Sequence, residues 1–185
     1  GAETWKSAVL GDVVSVFSYF APTLVVHGDV VLFAGAETEN TDYHVDNGTK
    51  MTALNRADGT TRWTVEHPPS GYRSPEDILV MKGLVWTGST MWPGHRAGFK
   101  KREWGMLYGR DPKTGTVVTK FGPDLKTHWF HHRCYRAKAT DKYLLLSRTG
   151  IEFVDPDTKH WECHHWVRGA CLYGIMPGNG MIYTS

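Results

Sequence analysis

The chain has no long apolar run, little cysteine and no strong charge of either sign. A helical membrane span needs about 20 consecutive apolar residues. The longest candidate, Val13 to Phe20, is broken by Ser15 and Ser18, so no such span is expected. Three cysteines, Cys134, Cys163 and Cys171, match neither a zinc ribbon nor a dense disulfide framework. A formal charge of +2, with Lys100, Lys101 and Arg102 as the one basic run, offers no stripe for nucleic acid; a run that short is ordinarily a solvated loop. Apolar residues at the helical period are missing throughout. At 41% hydrophobic and 22% charged the composition is nevertheless that of a packed globular chain, and this points to β-structure.

What the sequence has is a repeated phrase: an apolar run, an Asp and Thr-Gly type turn, then a strand. Leu54-Asn55-Arg56-Ala57-Asp58-Gly59-Thr60-Thr61-Arg62-Trp63 corresponds to the stretch from Tyr108 through Asp111, Thr114 and Gly115 to Val118, and more loosely to Phe153 through Asp155 and Thr158 to Trp161. A second phrase alternates with it, two β-branched or aromatic strands joined by a tight turn. It appears at Ala21 to Gly35 around His27-Gly28-Asp29, at Ser74 to Gly88 around Lys82-Gly83, at Arg136 to Ser147, and at Cys171 to Thr184 around Gly178-Asn179-Gly180. Each unit is an inner hairpin followed by an outer one, which makes a four-stranded antiparallel blade. A blade buries its faces only against neighbouring blades, so the expected fold is an all-β propeller of about four blades. Residues 1–185 read as one propeller domain or propeller segment. Gly1 to Lys6 resembles the end of a unit and Arg168 to Ser185 the start of one, so the chain is expected to be part of a larger ring, completed by remaining blades or by a second copy; closure into a small ring is the alternative. The connections Glu37 to Lys50 and Ser89 to Trp104 are long and polar, which suits rim loops or a scaffold's contact surface.

The phrase Ala53-Leu54-Asn55-Arg56-Ala57-Asp58-Gly59-Thr60-Thr61-Arg62-Trp63, with Arg110-Asp111-Pro112-Lys113-Thr114-Gly115, resembles the PQQ-like (quinoprotein alcohol dehydrogenase-like) propeller repeat. The resemblance runs over nearly the whole chain. It implies that Trp5, Trp63 and Trp161 dock blade on blade, with Val118 or a neighbour in the tryptophan's place in the second unit. It also implies a larger ring of blades and an extracytoplasmic location, periplasmic or secreted. Members of the family divide between quinone-dependent dehydrogenases and cofactor-free scaffolds. This sequence has neither the adjacent Cys-Cys pair nor the Asn and Asp calcium set of the enzymes, so PQQ is not expected within these residues.

Loops leading into the innermost strands form the mouth of a propeller channel, and the candidate chemistry lies there. The second unit begins with Arg73, Glu76 and Asp77, the third with His131-His132-Arg133-Cys134-Tyr135-Arg136, and the fourth with Arg168, Cys171 and Tyr173. Six residues without an aliphatic side chain must meet water, a ligand or one another, because burying Arg or His unpaired costs several kcal/mol. At period 2, His132, Cys134 and Arg136 point one way and His131, Arg133 and Tyr135 the other. The expected role is capture of a polar or anionic small molecule or polysaccharide, with Arg73, Glu76, Asp77, His131, Arg133 and Tyr173 in contact. Three alternatives accompany it. His132, Cys134, Cys171 and His164 can hold zinc or another transition metal, as in a metal-dependent oxidoreductase. His132 and Tyr135 can move a proton while Arg136 and Arg168 hold a substrate carboxylate, as in a uronate lyase. Or the cysteines are buried or bridged, the histidines pack against Trp129, Trp161 and Trp166, and the protein is an interaction scaffold. His27, His44, His67 and His95 fall in turns and loops and are expected to be exposed.

Overall fold

A computed structural model describes residues 2–7, 23–34, 49–67, 77–88, 106–124, 135–146, 150–171 and 173–184. The first sheet consists of β1 (Thr23–His27), β2 (Val30–Ala34), β3 (Thr49–Asn55) and β4 (Thr61–His67), paired in that order. The second consists of β5 (Leu79–Met81), β6 (Leu84–Gly88), β7 (Leu107–Arg110) and β8 (Val117–Phe121). The third runs from β9 (Lys138–Ala139) through β10 (Leu144–Leu146) and β11 (Ile151–Asp155) to β12 (His160–His164). A last hairpin pairs β13 (Ile175–Gly178) with β14 (Met181–Thr184). Every pairing is antiparallel. The protein is therefore all-β, a partial propeller of three four-stranded blades and the inner hairpin of a fourth, with no helix among the described residues.

The turns explain why these segments pair. Lys82 and Gly83 between β5 and β6, and Asn179 and Gly180 between β13 and β14, all have positive φ. Two left-handed residues in a two-residue connection match the right-handed twist of the flanking strands. In the outer hairpins an aspartate organises the turn. Asp111 Oδ1 accepts from the backbone N–H groups of Lys113 (2.7 Å) and Thr114 (3.0 Å), and the Gly115 N–H donates to the Asp111 carbonyl (2.9 Å). Asp155 does the same for Asp157 and Thr158.

Alternation along the strands gives each blade two apolar faces, and three cores form where successive faces meet. Val30, Leu32, Ala34, Met51, Ala53 and Trp63 of the first sheet pack against Ile78 and Val85 of the second. Met81, Trp86, Leu107 and Phe121 of the second meet Leu144, Leu146, Val154 and Trp161 of the third. Tyr135, Leu145 and Ile151 of the third meet Ile175 of the last hairpin.

Tryptophan caps the turn of the next blade. Trp63 Nε1 donates to the Pro112 carbonyl at 3.0 Å, and its ring lies where a Cβ on Gly115 would come within 2.7 Å. Trp5 repeats this on the first blade, donating to the Arg56 carbonyl at 2.8 Å with its ring over Gly59. Gly59 and Gly115 share a φ of 72°, so these positions need glycine both for backbone hand and for room. Residues 2–7 form no strand, although Trp5 sits where an outermost strand would place it.

Two of the expected tryptophan positions differ. Trp161 is fully buried but faces back onto the second blade. The cause is register. The first two outer hairpins carry a bulge, at Ala53/Leu54 and Gly109/Arg110, whereas the third pairs Val154 with Trp161 with no shift. One residue of register reverses which face a side chain takes. In the second blade Val118 is exposed. Trp86 of β6 lies with its ring against the Gly109 position of its own blade and its Nε1 donating to the Met81 carbonyl at 3.0 Å.

Candidate binding rim of the propeller

The leading ends of the inner strands converge, as the repeat requires. Arg136, just before β9, donates from Nη1 to Thr23 Oγ1 at the start of β1, 2.5 Å away. The neighbouring Ala137 N–H donates to Asp77 Oδ2 at 3.0 Å, immediately before β5. Three blades are thus tied by two hydrogen bonds close to the axis. Asp77 and Thr23 are buried, so these bonds replace water that the packed inner strands exclude. The tie gives Arg136 and Asp77 a stitching role; Thr23 carries no sequence signal beyond its place at a strand start.

Tyr135 points the opposite way from Arg136, as period 2 demands. It was expected to relay a proton at the mouth, but it is 2% exposed in the core between the third blade and the last hairpin. Its hydroxyl donates to the Gly150 carbonyl at 3.3 Å, and its ring fills the space beside Gly174. A phenol so enclosed braces a seam and does not reach a solute.

Of the four residues of the metal reading, Cys171 is disulfide-bonded and so has no thiolate to give. Cys163 forms no disulfide. His164 stands on the outermost strand, where Nε2 pairs with Glu162 Oε1 at 3.1 Å and the ring meets Phe153 edge-on, centroids 5.3 Å apart. Among the described residues no three His, Cys, Asp or Glu side chains gather as a metal site would require. Arg73, Glu76, His131, His132, Arg133 and Cys134 lie outside the described residues, as do residues 37–48 and 89–105 of the two long connections.

Arg168 and Tyr173 stand on the loop from β12 to β13, and this loop is held firmly. Cys171 anchors it, and Ala170 and Gly174 form an isolated antiparallel bridge, the Gly174 N–H donating to the Ala170 carbonyl at 2.8 Å. Arg168 Nη2 lies 3.5 Å from Cys171 Sγ. Tyr173 is 82% exposed, and Trp166 is 99% exposed. In the scaffold reading Trp166 was expected to pack against histidine. The composition of residues 163–185, without a single Asp or Glu, was the available signal that this end offers a cationic and aromatic surface.

A second polar clasp, unnoticed in the sequence, joins the second and third blades at the outer edge. Asp124, just after β8, accepts from the Trp161 N–H at 3.0 Å through Oδ1 and pairs with His160 Nδ1 at 2.6 Å through Oδ2. Desolvation pushes the Asp124 carboxyl up, but the His160 and Trp161 bonds outweigh it and hold the group below its ordinary value.

No family model matches the chain, and no curated protein matches it. Among solved structures it is similar to BamB from Moraxella catarrhalis, at 16% identity and a TM-score of 0.48, over 84% of this chain and 39% of that one. The chain thus spans less than half the length of the BamB chain it is compared with.

Proposed function

We propose that residues 1–185 form one extracytoplasmic propeller unit of PQQ-like repeats that binds an anionic partner at its rim, and that the partner is an acidic segment of another protein. The observation that carries this is the β12–β13 loop, on which Trp166 and Tyr173 stand exposed and Arg168 Nη2 lies 3.5 Å from the disulfide-bonded Cys171. Large aromatic groups on a fixed loop lose little entropy on binding, and Trp, Tyr and Arg are the residues that dominate protein interfaces. Arg168 supplies a planar fork for a carboxylate. The disulfide supports the compartment, since such bonds persist outside the reducing cytosol. Tyr135 in the core and Cys171 in a disulfide weigh against the lyase and metal readings.

The test is a titration followed by anisotropy of a labelled peptide in which Glu alternates with Phe. The expected result is saturable binding that weakens at least tenfold in Arg168→Glu and in Trp166→Ala. Equal binding by wild type and both variants would overturn the proposal. Preference for an oligogalacturonate over the peptide would replace the protein partner with a polysaccharide.

A further inference from the structure

Two different chemistries close the outer edges of successive seams. Between the first and second blades it is an indole: Trp63 of β4 reaches across to the Pro112 carbonyl and lies over Gly115. Between the second and third blades both halves of that lock are replaced. Thr119 pairs with Gly109 just as Trp63 pairs with Ala53, each beside the bulge, so a threonine stands in the tryptophan's place. Lys159, at a φ of 59°, takes the left-handed position that Gly115 holds at 72°. Carboxylates close this edge instead. Asp124, after β8, spans the seam to His160 Nδ1 and the Trp161 N–H of β12, and Asp157 of the β11–β12 turn pairs with Lys82 of the β5–β6 turn.

We infer that the second seam carries a proton-operated clasp: protonation of Asp124 releases β12 from the second blade, while the first seam, locked by an indole, stays shut. A carboxylate is a strong acceptor because it is charged, and a proton removes that charge. An indole N–H on a backbone carbonyl has nothing to titrate. Protonation of the His160 ring leaves Nδ1 a donor, so the carboxylate alone decides when the clasp opens. The Asp124 and His160 side chains are 42% and 55% exposed, and protons reach them without unfolding. The surrounding charges are mostly engaged with one another. Asp155 lies opposite His160 on β11, with Lys142 near it. Glu162, two residues along β12, pairs with His164. Lys159 and the Lys82–Asp157 pair flank the turn, and Lys120 stands near the end of β8. The bonds from His160 and Trp161 hold Asp124 below the ordinary value of 3.8. The clasp is therefore fully closed above that value and opens as the pH falls through the lower folded one.

The experiment is amide hydrogen exchange of the whole chain, followed by mass spectrometry at about pH 6 and about pH 3, on either side of the carboxylate range, with rates corrected for intrinsic exchange. Peptides covering β12 should lose protection in acid by about fivefold, the scale of one hydrogen bond, while those covering β4 keep theirs. Asp124→Asn retains an acceptor of the same shape that does not titrate. Its β12 should be equally protected at both pH values. Lys82→Met removes the neighbouring ion pair and should leave the acid response of β12 in place. Equal loss at β4 and β12, no loss at β12, or an acid response that persists in Asp124→Asn or vanishes in Lys82→Met would overturn the inference.

Discussion

The contact between Trp63 and Gly115 allows a quantitative test of how the blades hold together. Trp63 is buried at the first seam and donates one hydrogen bond to the next blade. Truncation to alanine removes a large buried ring, for which about 3 to 5 kcal/mol is typical. Gly115→Ala has two separable costs. Its φ of 72° places an alanine in the left-handed region, worth about 1 to 2 kcal/mol. The added Cβ would also lie 2.7 Å from Trp63 Cδ2, and overpacking of this kind costs about 1 to 3 kcal/mol. The second cost vanishes once the ring is gone. The double variant should therefore be more stable than the sum of the single losses by about 1 to 3 kcal/mol, a coupling that urea denaturation resolves. Strict additivity would show that the indole does not press on the turn, and the account of blade docking would fall.

Thr23→Val should destabilise by about 1.5 to 3 kcal/mol, the range for hydrogen bonds to charged groups, and the effect should shrink in an Arg136→Met background, as equilibrium unfolding would show. Asp124 is held below the ordinary carboxylate value of 3.8. Its contribution is therefore complete above that pH and is lost as acid protonates the folded form, so Asp124→Asn should flatten the acid limb of the stability curve. Reduction by dithiothreitol, or Cys171→Ser, should weaken peptide capture at the rim while leaving circular dichroism of the three complete blades unchanged, because the loop and not the sheets is released.

Much of this architecture is written in the chain's periodicities. Alternating β-branched residues, the Lys82-Gly83 and Asn179-Gly180 turns and the Asp111 and Asp155 turns each act over a few residues, so the strand order and the four-stranded blades were legible locally. The Trp63 and Trp5 docking followed from the repeat. The sequence could not tell that the third outer hairpin lacks a bulge, because a one-residue change in register leaves the composition of the phrase intact while turning Trp161 to the other face. Nor could it separate Tyr135, sealed against Gly150, from Tyr173, exposed on a pinned loop, since both stand beside arginine and cysteine. Burial and partnership across distant segments, such as Arg136 with Thr23, exist only once the blades are arranged around an axis. That arrangement decides which polar residues hold the ring and which remain available to a partner.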